Sequence, residues 1–489
     1  MNVASLHANI DRSYERLLAA KEDMALVENF AAKRPSVAER LAAGKALRDK
    51  IPRSAHGAYR PAADRADPVD ILERQNAVRW PRLVPVRYAR MLAHPFGFLR
   101  GSAAVMAADL SVTPTTGLAV GACGDMHVAN FGVFGSAERN LVFAINDFDE
   151  VHPGPWEWDL KRLAASAAVA ARFLGGDSGA AAAAARAVVR SYRKHIRRFA
   201  GMGYLAVWYS RIDERAILKT LGPRLQRRAE RFLSRAREKN HVQVLEKMTE
   251  QVDGEHRIIE HLPLIVRETH TATGLPADVA LDRMLRSYLA SLTNGRQLLL
   301  ARYRIVDSAR KVVGVGSVGT GCWVVLLQGV DGDDPLFLQV KEAQPSVLAP
   351  YVDFKMPFDN QGRRVVIGQH MTQGSPDIFL GWGEIDGKHF YVRQLADMKG
   401  GIKFIANDAE ALAGFSQYCT LCGWALALAH AKSGDPAMIA GYCGTSDVLD
   451  EAVAKFALAY ARQTGQDHDA LEKARRSGRI RAAAEELAK

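Results

Sequence analysis

Apolar residues along this chain fall into two textures, a helical step of three and four and short runs with strand spacing. The plainest helical face is Leu412, Phe415, Cys419, Cys422 and Leu426, beginning soon after Asp408, so one side of that helix is expected to be buried. Residues 159–201 read as strongly helical, and the alanine run at 180–185 reflects helix propensity rather than a functional low-complexity tract. Further helices are expected over about 212–252 and 277–303, an Ala-rich amphipathic one over 101–110, and a charged one over 471–489.

Strand texture is confined to fewer places. Residues 131–134 and 141–145 are apolar runs separated by Gly135-Ser136-Ala137-Glu138-Arg139-Asn140, which has hairpin composition. Near residue 305 the chain becomes β-rich: a glycine-rich turn joins two β-prone runs within 312–327, and after a turn at 329–335 comes the run 336–341. Residues 364–368 and 389–395 are further strand candidates. Residues 1–95 are charged and partly helical at first, then loop-like through Pro52, Pro61, Pro68, Pro81 and Pro85. The expected organisation is an α+β protein with a wrapping arm over 1–95, a helical lobe over 96–304, a β-rich lobe over 305–400 and helices over 401–489 that complete the helical lobe.

Composition narrows this picture only slightly. At 489 residues, 48% hydrophobic and 24% charged, the chain can bury a large core and divide into two or more lobes. Charges run throughout residues 1–42, and no stretch approaches the ~18 apolar residues of a membrane span, so a cytoplasmic location and no membrane partner are expected. A formal charge of +11 favours anionic ligands without choosing among nucleotides, phosphorylated substrates, nucleic acid and acidic lipid. The arginine-dense segment 227–239 is interleaved with Glu230 and Glu238, which reads as a solvated helix face and disfavours nucleic acid. The five cysteines are scattered without zinc-site spacing and are expected to be reduced, mostly buried thiols.

Candidate chemistry sits in Gly124-Asp125-Met126-His127-Val128-Ala129-Asn130 and Asn146-Asp147-Phe148-Asp149-Glu150. An acid, four residues, an Asn, a strand-turn-strand and a second acid is the arrangement by which kinase-type enzymes hold a catalytic carboxylate beside metal-ligating side chains. Phosphoryl transfer needs a carboxylate to orient or deprotonate the acceptor hydroxyl, which suits Asp125. It also needs oxygen ligands for Mg²⁺, which Asn130, Asp147 and Asp149 supply. Gly314, Gly316, Ser317, Gly319 and Gly321 form a glycine-rich loop followed by a β-prone run rather than a helix, which favours a strand-loop-strand lid over ATP phosphates. Lys341, ending an apolar strand about twenty residues later, matches a lysine on the α and β phosphates, with Glu342 or Glu384 as conceivable partners. Arg393, within an expected hinge at 391–395, is assigned to the nucleotide. Arg100 stands between a phosphate contact and a structural ion pair, His127 is expected to make a structural hydrogen bond, and Asp159 to anchor the loop or cap a helix.

The motifs Arg87-Tyr88-x-Arg90-Met91, Phe98-Leu99-Arg100-Gly101, the two acidic stretches above, Trp158-Asp159-Leu160-Lys161-Arg162-Leu163, Gln339-Val340-Lys341-Glu342-Ala343 and Tyr391-Val392-Arg393-Gln394-Leu395-x-Asp397-Met398-Lys399 resemble an uncharacterised bacterial family, domain of unknown function 2252, over about residues 40–465. More distantly, 124–130, 146–150 and 154–160 are similar to the catalytic loop, metal motif and helix start of the aminoglycoside and choline phosphotransferase branch of the protein-kinase-like fold. That resemblance implies a two-lobed kinase-like fold and an ATP- and Mg²⁺-dependent phosphotransferase. Its acceptor would be a small-molecule hydroxyl, since only about ten residues separate Asp149 from Asp159 and leave no room for a long activation segment.

The order of parts differs from that branch, because Asp125 and Asp147 precede the glycine-rich loop and Lys341. A circular permutation accounts for this, with ancestral termini joined near 303–311 and the chain opened ahead of the catalytic loop. The helix ending at 424–435 resembles the one that normally leads into that loop. Two rivals stand beside this reading. One is a catalytically silent nucleotide-binding scaffold; the other is a metal-dependent phosphohydrolase using Asp125, His127, Asn130 and Asp147, for which further His-rich motifs are not evident.

Overall fold

The computed structural model describes residues 32–484 apart from 239–240, 271–273, 331–333, 355 and 396–397. The first 31 residues of the expected arm, the end of the basic segment at residue 239, the middle of the expected turn at 329–335, Asp397 and the last five residues of the chain lie outside the described residues.

Thirteen strands in chain order form four antiparallel sheets among the described residues. The largest has six strands: β7 (Ile265–Val266), β8 (Arg304–Lys311), β9 (Cys322–Gln328), β10 (Pro335–Ala343), β12 (Lys388–Gln394) and β11 (Gly381–Ile385), in that spatial order. Strand β10 is buried on both faces, and the two-residue period sorts its side chains. Leu336, Leu338 and Val340 pack with Met284 and Tyr288 of the helix Ala277–Ala290. Phe337 packs the other way, with Val324, Leu326, Leu245 and Ile258. Residues Gln339 and Lys341 share the parity of Phe337, so the strand itself delivers Lys341 to that second face.

The helical part is built on Trp156–Phe173, Ser178–Ala200, Ala409–Ser433, Pro436–Cys443 and Val448–Arg476. Alanines at 164, 165, 167, 168, 170 and 171 are all buried, and their small side chains let neighbouring helices approach closely. The helix Ala409–Ser433 begins at Asp408, whose carboxylate accepts from the Ala411 amide at 2.9 Å. Its Phe415, Cys419, Cys422 and Leu426 are buried, as the periodicity predicts. Among the described residues this is the one helix long and apolar enough to cross a membrane, and 56% of its most apolar window is buried inside the protein.

Three small sheets carry the loops of interest: β1 (Ala119–Ala122) with β4 (His152–Pro155); β2 (Phe131–Gly135) and β3 (Leu141–Ile145) with β13 (Gly400–Gly401); and β5 (Thr249–Val252) with β6 (Glu255–Ile258). The expected hairpin at 131–145 is therefore present.

Four expectations need correction. Residues 364–368 lie inside the helix Gln361–Thr372, started by Asn360, whose side chain accepts from the Arg363 amide at 2.9 Å; tertiary burial of Val365 and Val366 overrides their strand preference. Residues 249–252 are a strand, because Asp253 and Gly254 adopt positive φ and fold β5 onto β6. Residues 159–201 are helical as expected, in two helices, Trp156–Phe173 and Ser178–Ala200, that part at Gly175, φ 92°, and Gly176. Within the arm, Pro68 and Pro85 open helices Pro68–Asn76 and Val84–Leu92 instead of marking loops, since proline suits the first helical turn. The last helix stops at Arg476, before Gly478 at φ 79°.

Candidate functional site

The loop that carries Asp125 leaves β1 through Gly124, whose φ of +73° and close approach to Glu150 leave no room for a side chain. Asp159 fastens this loop from below: its carboxylate accepts from the Cys123 amide at 2.6 Å and the Gly124 amide at 3.0 Å. His430 Nε2 donates to Asp159 at 3.3 Å, and its Nδ1 pairs with the Tyr192 hydroxyl at 2.8 Å. Asp159 thus anchors the loop and does not cap the helix Trp156–Phe173, which follows Pro155. Ser166 accepts from the Val128 amide at 3.0 Å, and the Tyr418 hydroxyl donates to the Val128 carbonyl at 2.7 Å.

Within the loop, the Asn130 amide nitrogen donates to the Asp125 carbonyl at 2.7 Å, leaving the amide oxygen as its other polar atom. Buried Arg162 grips Asp125 Oδ1 through Nε at 3.1 Å and through Nη2, which also donates to the Leu99 carbonyl at 2.9 Å. A carboxylate fixed by a buried guanidinium is suited to orienting a hydroxyl. His127 Nε2 lies 3.8 Å from Asp125 Oδ2. Burial first, then the charges of Arg100 and Arg162, hold its imidazole well below the usual histidine range, so it is neutral.

The second acidic stretch meets the sheet. Lys341 Nζ stands 2.6 Å from Asp149 Oδ2 and 3.5 Å from Asp147 Oδ1. Ser317 donates to Asp149 Oδ2 at 3.1 Å and the Tyr391 hydroxyl donates to Oδ1. Against the cost of burial, the Lys341 ammonium and the hydrogen bonds from Lys341 and Tyr391 hold Asp149 at about 2. Burial and the Asp149 charge push Asp147 up. Lys341 sits well above its ordinary value, since the two carboxylates outweigh its burial. Its partners are therefore Asp147 and Asp149, not Glu342 or Glu384. Glu342 accepts from the Gly321 amide at 2.9 Å, and Glu384 accepts from the Asn360 amide nitrogen at 3.3 Å. Arg364, inside the helix first read as a strand, supports the stretch by donating to the carbonyls of Asp149 at 2.8 Å, Gln344 at 2.7 Å and Val151.

The glycine-rich segment joins β8 to β9 as a strand-loop-strand, with Gly314 at φ 63° and Gly319 at φ 89°. An added Cβ at Gly316 would lie 3.4 Å from the Arg100 carbonyl and 3.7 Å from Asp125 Oδ2, so the loop leans directly over the stretch that carries Asp125. Its carbonyls are held by the arm. Arg79 donates to Gly316 at 2.7 Å and to Val318, Arg90 donates to Gly314 at 2.6 Å, and the Trp80 amide donates to Gly319 at 2.8 Å.

Asp125, Asn130, Asp147, Asp149, Gly314, Gly316 and Ser317 line one pocket of about 720 Å³, open to solvent. Lys341 joins it through its ion pairs, while Gly319 and Gly321 shape the loop without lining the pocket. Arg393 does not: it donates to the Asn146 carbonyl at 2.8 Å and to Gln339 at 3.0 Å, and it lines a neighbouring cavity with Asn146, Gln394 and Lys399. Sequence reading gave no role to Arg79, Arg162 or Arg364, and placed Tyr391 only within the expected hinge at 391–395. For Arg162 the only signal was membership of the quoted motifs.

Asp147 Oδ1 is buried without a hydrogen-bond partner, and with the Asn130 amide oxygen it offers two hard ligands. Both oxygens of Asp149 are already engaged. Among the described residues no group of three or more His, Cys, Asp or Glu forms an all-protein metal cage. One carboxylate and one amide oxygen suit Mg²⁺, which takes few protein ligands when phosphates and water supply the rest.

A family model described as an uncharacterized protein conserved in bacteria, DUF2252, matches residues 79–474. No curated protein and no solved structure matches the chain.

Proposed function

The chain belongs to that bacterial family, DUF2252, and we propose that it is an ATP- and Mg²⁺-dependent phosphotransferase acting on a small-molecule hydroxyl, built on a kinase-like fold in circularly permuted order. One observation carries the reading. Lys341 and Ser317 come from a β-rich segment some 190 and 170 residues beyond the acidic stretch, yet stand 2.6 and 3.1 Å from the same Asp149 carboxylate. A glycine-rich loop, a strand lysine, an Asp-x4-Asn loop and a metal-type Asp in one pocket are the parts phosphoryl transfer uses.

In this mechanism Asn130 and Asp147 would hold Mg²⁺, which would neutralise charge developing on the phosphates. The backbone of 314–321 covers those phosphates, and Lys341 contacts them. Asp125, fixed by Arg162, orients the acceptor hydroxyl and receives its proton as the oxygen bonds to phosphorus. The neutral His127 beside it takes no proton from Asp125. The permutation is supported by the end of the helix Ala409–Ser433: a Cβ on Gly434 would meet the Ala119 carbonyl at 3.0 Å, so this helix abuts the start of β1, which leads to Asp125.

Isothermal titration of Mg·ATP into the wild type and Asp147→Ala tests the assignment. We expect metal-dependent binding in the wild type and at least a tenfold loss in the variant; equal metal-dependent binding removes Asp147 from its role. Binding with no transfer to any acceptor would favour the silent scaffold, and phosphate release from monoesters without ATP would favour the hydrolase.

A further inference from the structure

The buried arginines around this pocket are all bound, whereas the half-buried Arg100 is not. Arg162 is spent on Asp125 and the Leu99 carbonyl, Arg364 on three carbonyls, Arg87 on Asn76, Gln75 and the Gly101 carbonyl, and Arg79 on the glycine-rich loop. Arg100 lines the pocket with Asp125, Asn130 and Asp147, yet no hydrogen bond or ion pair joins its guanidinium to a described residue. Its Nε is buried without a partner. The nearby carboxylates do not use it either, since Asp125 is held by Arg162, and Asp147 and Asp149 face Lys341.

Arg100 is half-buried, with its Nε sealed off and unpartnered, and a guanidinium drawn partly out of water gains from an anion that reaches its donors. Arg100 also has a fixed mounting. It lies in the last turn of the helix Pro95–Gly101, whose Phe96, Phe98 and Leu99 are buried, and its own carbonyl lies 3.4 Å from where a Cβ on Gly316 would stand. The residue is therefore anchored beside the lid and the catalytic loop, with its donors uncommitted. A planar guanidinium suits the oxygens of a phosphoryl group better than a lysine would.

We propose that Arg100 is a catalytic residue that grips the phosphoryl group in flight, an inference that rests on the phosphotransferase reading. The acceptor oxygen forms its bond to the γ-phosphorus while the bond from that phosphorus to the β–γ bridging oxygen breaks. The electron pair leaves with ADP, and the acceptor proton goes to Asp125. Arg100 exchanges no proton and donates N–H bonds to the equatorial oxygens, which carry charge at that moment.

Thermal melts of the wild type, Arg100→Gln and Arg100→Lys with Mg·ADP alone, and with Mg·ADP plus aluminium fluoride, test this. We expect Mg·ADP to stabilise all three equally, and aluminium fluoride to add stabilisation to the wild type, little to Arg100→Lys and none to Arg100→Gln. The ligand-free melting temperature of Arg100→Gln should not fall, because no partner is lost; a structural arginine would lower it by several degrees. The transfer rate should drop on the order of 10²- to 10³-fold, with KM for ATP little changed. A wild type that ignores Mg·ADP overturns the phosphotransferase reading itself. A wild type that binds Mg·ADP but gains nothing from aluminium fluoride, a glutamine variant that keeps the gain, or one that loses Mg·ADP binding overturns the role of Arg100 alone.

Discussion

The two loops that face each other across the pocket are held in opposite ways. Residues 124–130 are fastened from beneath by buried side chains of the helical core: Asp159 on two amides, His430 and Tyr192 behind it, Tyr418 and Ser166 on Val128. Residues 312–321 end a hairpin, with open space around Gly314, and their carbonyls are gripped by Arg79 and Arg90 from 237 and 224 residues earlier. The acid-bearing side is thus part of the helical core, whereas the glycine-rich side is held by residues 69–105, through those hydrogen bonds and through Val315 and Val318, which pack with Met91 and Phe98 and with Leu83 and Val86. Local opening follows the contacts that hold each segment, so the two loops are expected to open separately, the glycine-rich one with residues 69–105 and the Asp125 loop with the helical core.

Three experiments can break or sharpen this contrast. The largest effect is expected from Asp159→Ala, which leaves two buried amides and His430 without their acceptor; equilibrium denaturation should show a loss of about 3–5 kcal/mol, and a loss under about 1 kcal/mol would deny the core-fastened loop. Next comes Arg79→Ala. It should cost about 1–2 kcal/mol and raise amide exchange chiefly within 312–321, while 124–130 keeps its protection; equal loosening of both loops would erase the distinction.

The smallest concerns Glu150, which lines the pocket and accepts from the Val347 amide at 2.8 Å. Burial lifts its carboxyl to about 7 from an ordinary 4.5, against the pull of that amide and of Arg364. A folded value above the unfolded one means its proton stabilises the protein fully below about 4.5, and this contribution disappears as pH rises through about 7. Denaturation at pH 5 and pH 8 should therefore show a wild-type loss that Glu150→Gln lacks, about 1 kcal/mol after allowance for solvent at a half-buried group. Matching pH slopes in the two proteins would remove Glu150 as the source.

Much of the pocket was legible because its chemistry is local in sequence. The Asp125-to-Asn130 spacing, the 131–145 hairpin and the β-prone run after Gly321 each fall within a short window, and each is found in the fold. What failed to show were partnerships over long separations. Nothing in the spacing says that Lys341 would meet Asp149, 192 residues away, rather than neighbouring Glu342. Arg364 was concealed by Val365 and Val366, whose strand preference lost to burial in a helix. Arg79 was hidden because the prolines around it were read as loop markers, although two of the arm's prolines begin helices. The α+β character came through these errors unchanged, since the flanking helices and the β-rich segment near residue 305 are both long enough for periodicity to be reliable.

All five cysteines are free and buried, and two of them sit at the hinges of the contrast: Cys123 immediately precedes Gly124, and Cys322 immediately follows Gly321. Burial pushes both thiols up, so neither presents much thiolate while its surroundings stay closed. Alkylation of each is consequently paced by the opening of its own loop, and Cys419, Cys422 and Cys443 report the helical core in the same way. The chain carries a set of chemical clocks, one at the end of each loop and three in the core, that can be read by mass spectrometry without adding a single label.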